Sequence, residues 1–82
     1  MAVLTVVLVG CGKGAAEREK EHITKGDEYA ANKQFTEATL EYRLAIRENP
    51  TSDKAYFLLG EAYAAKSDVR NALQAYLRAA DL

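Results

Sequence analysis

From Glu17 onward, apolar side chains recur at helical spacing. Tyr56, Leu59, Gly60 and Tyr63 fall at i, i+3, i+4 and i+7, which lines up one face of a helix. Val69, Ala72, Leu73, Tyr76 and Ala79 with Ala80 mark a second face, and Phe35, Ala38, Tyr42 and Ala45 with Ile46 a third. Breaks separate these runs. Asn49-Pro50-Thr51-Ser52 stops a helix, because the residue before Pro is pushed out of the helical region. Ser52 is a cap for the next helix, with Asp53 in a first turn where the helix dipole favours negative charge. Ser67-Asp68 is a second break with Asp68 as N-cap, and Asn32-Lys33 is its counterpart, where Asn tolerates left-handed geometry. The pattern predicts an all-α chain of four helices, over about 17–31, 34–48, 53–66 and 69–81.

The helices repeat in pairs. At an offset of 34, Lys20, Gly26, Tyr29, Ala30, Ala31, Ala38, Tyr42 and Ala45 recur as Lys54, Gly60, Tyr63, Ala64, Ala65, Ala72, Tyr76 and Ala79. A helix–turn–helix period of that length, with Gly, Tyr, Ala, aromatic, Ala and Pro in order, resembles the tetratricopeptide repeat. The residues carrying the resemblance are Gly26, Tyr29, Ala38, Tyr42, Ala45 and Pro50, then Gly60, Tyr63, Ala72, Tyr76 and Ala79. Two repeats are expected, about 19–52 and 53–82, forming a fragment of an α-solenoid. The first departs from the family pattern at His22 and Lys25, where an aromatic and a Leu are usual. With Lys20 and Glu21, these suit the solvated face of a leading repeat.

The resemblance implies a partner surface on the first helix of each pair. The matching residues are Lys20, Ile23 and Asp27, then Lys54, Phe57 and Glu61, with Ala31 and Ala65 beside them. They would line a groove for an extended peptide or a partner helix. Intramolecular packing is the competing explanation for Ile23 and Phe57. The Lys/Asn clamp by which chaperone-binding members grip a terminal carboxylate is absent, since Ile23, Asp27 and Leu58 stand at its places. Repeats of this kind bury their faces against neighbours, and three or more with a polar cap are usual. Two repeats are therefore expected to belong to a longer array or to be completed by another chain. Leu73 and Leu77 lie about a turn apart on the last helix, and at least one is expected to point past the second repeat.

A different pattern occupies the first residues. MAVLTVVLVG has no charge, and its only polar side chain is Thr5. Ten residues are too few to span a bilayer, which takes roughly 20, but suit the apolar part of an export signal. Leu8-Val9-Gly10-Cys11 resembles the lipobox of bacterial lipoproteins. The resemblance implies cleavage between Gly10 and Cys11, and lipid attached to the Cys11 thiol, whose small neighbour Gly10 leaves it accessible. Residues 1–10 would then be a signal segment, 11–16 a tether, and 17–82 the repeats. The implied location is the bacterial cell envelope. The outer membrane is favoured because Gly12, not Asp, follows Cys11. No Lys or Arg precedes the apolar run, unlike an ordinary signal. The alternatives are a cytosolic repeat fragment with a chance apolar start, or a truncated dinucleotide-binding protein. The latter rests on Gly10-Cys11-Gly12-Lys13-Gly14-Ala15, which fits G-x-G-x-x-A. Its context argues against it, because Asp27 to Gln34 has no strand character where a second strand belongs.

Composition narrows the chemistry further. Eleven Lys and Arg against 12 Asp and Glu leave a net charge of −1, without the positive excess that nucleic-acid binding needs. One Cys and one His exclude an internal disulfide and a four-ligand zinc site within the chain. His22 has no nucleophile near it in its helix, and no acidic pair stands out for acid–base work. The sequence predicts a non-catalytic interaction scaffold with no cofactor and no small-molecule substrate. Its partner would be a protein or peptide, or further repeats, with the membrane reached through lipid on Cys11.

Overall fold

The local signals of the sequence place four helices in a computed structural model that describes residues 12–82. They are α1 (Ala15–Ala31), α2 (Phe35–Glu48), α3 (Asp53–Ala65) and α4 (Val69–Asp81), and no strand occurs among the described residues. α1 begins two residues earlier than the pattern predicts. Gly14 holds the extended N-cap position, and Ala15 and Ala16, strong helix formers, join the helix rather than a tether. Ser52 caps α3, its hydroxyl accepting from the Ala55 N–H at 3.1 Å. Asp68 caps α4 by accepting from the Asn71 N–H at 3.3 Å. Among the described residues no helix is long and apolar enough to cross a membrane.

The two turns inside the pairs have one construction. The Gln34 N–H donates to the Tyr29 carbonyl and the Lys33 N–H to the Ala30 carbonyl, both at 2.9 Å. Asp68 and Ser67 do the same to Tyr63 and Ala64. This bonding satisfies the last helical carbonyls and requires a left-handed residue at the penultimate place. That residue is Lys33 (φ 61°) in one turn and Ser67 (φ 64°) in the other. Asn32, expected to take this geometry, remains at φ −92° as the last cap of the helix. Between the pairs, Asn49 is extended before Pro50, and its side-chain oxygen accepts from the Thr51 N–H at 3.2 Å.

Close helix contacts rest on glycine. A Cβ on Gly26 would lie 2.5 Å from Cε1 of Tyr42, and one on Gly60 would lie 2.7 Å from Cδ1 of Tyr76. Each tyrosine therefore lies against the bare backbone of the facing helix. Ala38, Tyr42, Leu59, Ala62 and Ala75 form one core cluster, with Tyr29 and Tyr63 packed beside it. Ile23, Ala45 and Ala55 form another, which Ile46 and Leu58 flank. α3 thus packs across the first hairpin through Ala55, Leu58, Leu59 and Ala62. The corresponding residues of α1 are Glu21, Thr24, Lys25 and Glu28, so α1 carries a polar outer face where α3 carries its apolar seat. Polar links tie α1 to the end of α2: Arg18 Nε donates to Glu48 at 3.0 Å and Asn49 Nδ2 to Glu19 at 3.1 Å.

Candidate functional site

Seven residues make nearly two helical turns, so Lys20 and Asp27 fall on one face of α1, and Lys54 and Glu61 on the matching face of α3. All four side chains are exposed. The two faces bound a groove of about 530 Å³. Ala31, Phe35, Leu58 and Ala65 supply much of its apolar lining, and Asp27 and Glu61 supply its charge. A second hollow of about 340 Å³ lies towards the other end of the helices, where Lys20 and Lys54 come together beside Glu19 and Asp27. The larger hollow thus has only carboxylates, Asp27 and Glu61, as ionic side chains over its apolar floor, whereas the smaller one mixes the two lysines with Glu19 and Asp27.

The carboxylates are held from below. The Tyr42 hydroxyl donates to Asp27 Oδ1 at 2.6 Å, and the Tyr76 hydroxyl donates to Glu61 Oε2. These bonds repeat at the same offset of 34 as the signature itself. Burial, then the bond to Asp27, pushes the Tyr42 phenol far above the usual tyrosine range. Tyr76 is also raised, first by its bond to Glu61 and then by burial. Both phenols therefore keep the protons they donate at neutral pH.

The two apolar residues expected in the groove differ in exposure. Ile23 is mostly buried, 8% exposed, because α3 brings Ala55 and Leu58 over it and over Ala45, and it contributes only to the floor of the smaller hollow. Phe57 is the equivalent residue of the second pair and is 51% exposed. It lines the groove on one side and on the other meets the Tyr76 ring at 5.7 Å, with no helix across it. Leu73 shows the same relation, 56% exposed where its equivalent Thr39 is 6% exposed. Leu77, at 57%, matches Arg43, which is exposed in the first pair.

The signature residues are distributed between core and turn. Ala38 and Ala45 are fully buried and Ala72 nearly so, Tyr29, Tyr63 and Ala79 are half-buried, and Pro50 is exposed in its turn. Phe35 was read from the sequence only as part of the apolar face of α2, and the structure adds it to the groove. Periodicity places Tyr42 and Tyr76 on apolar faces and says nothing of their hydroxyls, whose bonds the structure adds. The signal that could have found them is the acid fifteen residues before each tyrosine, Asp27 and Glu61. His22 is half-buried on the outer side, its Nδ1 2.8 Å from Glu41 Oε1, and bridges α1 to α2. Among the described residues no three His, Cys, Asp or Glu side chains gather as a metal site would require. Gly10 and Cys11 lie outside the described residues.

A family model described as TPR repeat matches residues 26–67, from Gly26 in the first pair to Ser67 in the second. No curated protein and no solved structure matches the chain.

Proposed function

We propose that this chain, which belongs to the TPR repeat family, is a non-catalytic scaffold for protein–protein contacts that is exported and anchored by lipid on Cys11. The observation behind the scaffold reading is the groove between α1 and α3, with an apolar floor and charged side chains at both ends. It is concave and preformed, as a site for a peptide or a partner helix must be. The binding surface of this proposal comprises Lys20, Asp27, Lys54, Phe57 and Glu61, with Ile23 beneath it as support.

The anchor has separate support. Leu8-Val9-Gly10-Cys11 ends an apolar run of the length an export signal needs, and the charged helix α1 starts four residues after Cys11. Several acyl chains on one residue give stable anchoring where a single chain gives only marginal binding. The short stretch Gly12–Gly14 would hold the repeats close to the bilayer. Expression in a bacterium with lipoprotein processing, followed by intact mass, tests this part. A mature chain beginning at an acylated Cys11 is expected. Cys11→Ser should leave an uncleaved, unlipidated precursor, and a wild-type chain retaining Met1 and lacking lipid would refute the anchor.

A further inference from the structure

The larger hollow of the groove carries only acidic ionic side chains, and that restricts what can lie in it. Around the apolar floor of the larger hollow, the ionic side chains are Asp27 and Glu61, both acidic. Lys20 and Lys54, seven residues earlier on the same helix faces, line the neighbouring smaller hollow with Glu19 and Asp27 and do not line the larger one. Each carboxylate accepts from one tyrosine hydroxyl. A carboxylate offers about four lone-pair sites, so each retains acceptor capacity towards the groove. The tyrosine bonds also restrict how the carboxylates can turn, which lowers the ordering cost of a partner docking there.

We infer that the groove between α1 and α3 receives a polypeptide segment in which a Lys or Arg adjoins a large apolar side chain. This rests on the reading of the groove as the interaction surface. The apolar side chain lies over Ala31, Phe35, Leu58 and Ala65, and the cationic head reaches Asp27 and Glu61. An acidic segment of the same apolarity would set like charges together over a poorly hydrated floor, which disfavours it.

The test uses the full chain and two fluorescent octapeptides of equal Leu and Phe content, one carrying Lys and Arg and the other Glu. Binding is read by anisotropy at low and high salt. The basic peptide is expected to bind at least tenfold more tightly than the acidic one, with the advantage shrinking as salt screens it. The double variant Asp27→Asn, Glu61→Gln keeps an acceptor for each tyrosine and should remove the preference. Circular dichroism on the variant checks that it folds. Equal binding of the two peptides overturns the inference, as does a preference that survives the double variant or a lack of binding by both. Ala65→Trp, which fills the groove floor, separates this failure from failure of the scaffold reading. If both peptides bind equally and Ala65→Trp blocks both, only the charge inference fails. If peptides bind and Ala65→Trp changes nothing, the groove is not the interaction surface.

Discussion

Gly26 and Gly60 occupy equivalent places, yet the structure gives them different tolerance. A methyl group at either would press on a tyrosine ring. Alanine gains roughly 1 kcal/mol over glycine in a helix interior, while overpacking costs about 1–3 kcal/mol. The outcome depends on whether the ring can move. Tyr42 is 2% exposed, bonded to Asp27 and covered by α3, so it cannot yield cheaply. Tyr76 is half-buried on the side where no further helix lies among the described residues, and its ring can swing outward. Gly26→Ala is therefore expected to lose about 1–2 kcal/mol net, and Gly60→Ala to be close to neutral. Urea unfolding of the two variants checks this, and equal losses would contradict the asymmetry. The need for small residues at both places was legible in the sequence, because the repeat aligns glycine with glycine. Their unequal tolerance was not, since it depends on what lies above each tyrosine.

At the scale of elements, the turns show where sequence reading succeeds and where it slips. Asn49-Pro50 fixes its turn outright, because proline's ring decides the backbone of its neighbour. The turns within the pairs were placed correctly, but the left-handed position falls on Lys33, one residue past Asn32. Residue preference pointed to Asn, whereas the hydrogen bonds from Lys33 and Gln34 back to α1 decide the geometry. Neither Lys nor Ser suits a left-handed conformation, which costs an L-residue roughly 1–2 kcal/mol. Glycine removes that strain and gives back about 0.5–1 kcal/mol through its more flexible unfolded chain. Lys33→Gly and Ser67→Gly should each stabilise the fold by about 0.5–1 kcal/mol, seen as a higher melting temperature. A lower one would mean that the side chains make contacts worth more than the strain. Among helix faces, Ile23 is the position at which periodicity leaves groove lining and packing in competition. Its periodicity puts it with Lys20 and Asp27, and only the passage of α3 over α1 and α2 shows that it is covered.

For the whole molecule, the second pair displays what the first has buried. Phe57 and Leu73 stand half exposed where Ile23, under α3, and Thr39 are buried. Full burial of a Phe or Leu contributes roughly 1.5–3 kcal/mol, so covering these two half-exposed side chains should contribute about 1.5–3 kcal/mol together. A helix joined after Leu82 and patterned like the seat of α3, with Ala, Leu, Leu and Ala at the places of Ala55, Leu58, Leu59 and Ala62, should raise stability by that amount in denaturant unfolding. A control helix patterned like α1, with Glu, Thr, Lys and Glu at those places, should contribute little. If the two helices act alike, the α3–α4 side is not a stacking surface. The same difference between the faces governs what happens when copies meet in a crowded solution. Molecules that add head to tail without closing a ring grow into fibres, and that growth needs complementary ends. Among the described residues the α3–α4 side offers Phe57 and Leu73, and the outer face of α1 offers Glu21, Lys25 and Glu28. An unbounded filament would have to desolvate those charges against aromatic and aliphatic surface at every junction. The polar outer face of α1 is thus a poor seat for the apolar α3–α4 side of another copy, and it opposes growth by that contact.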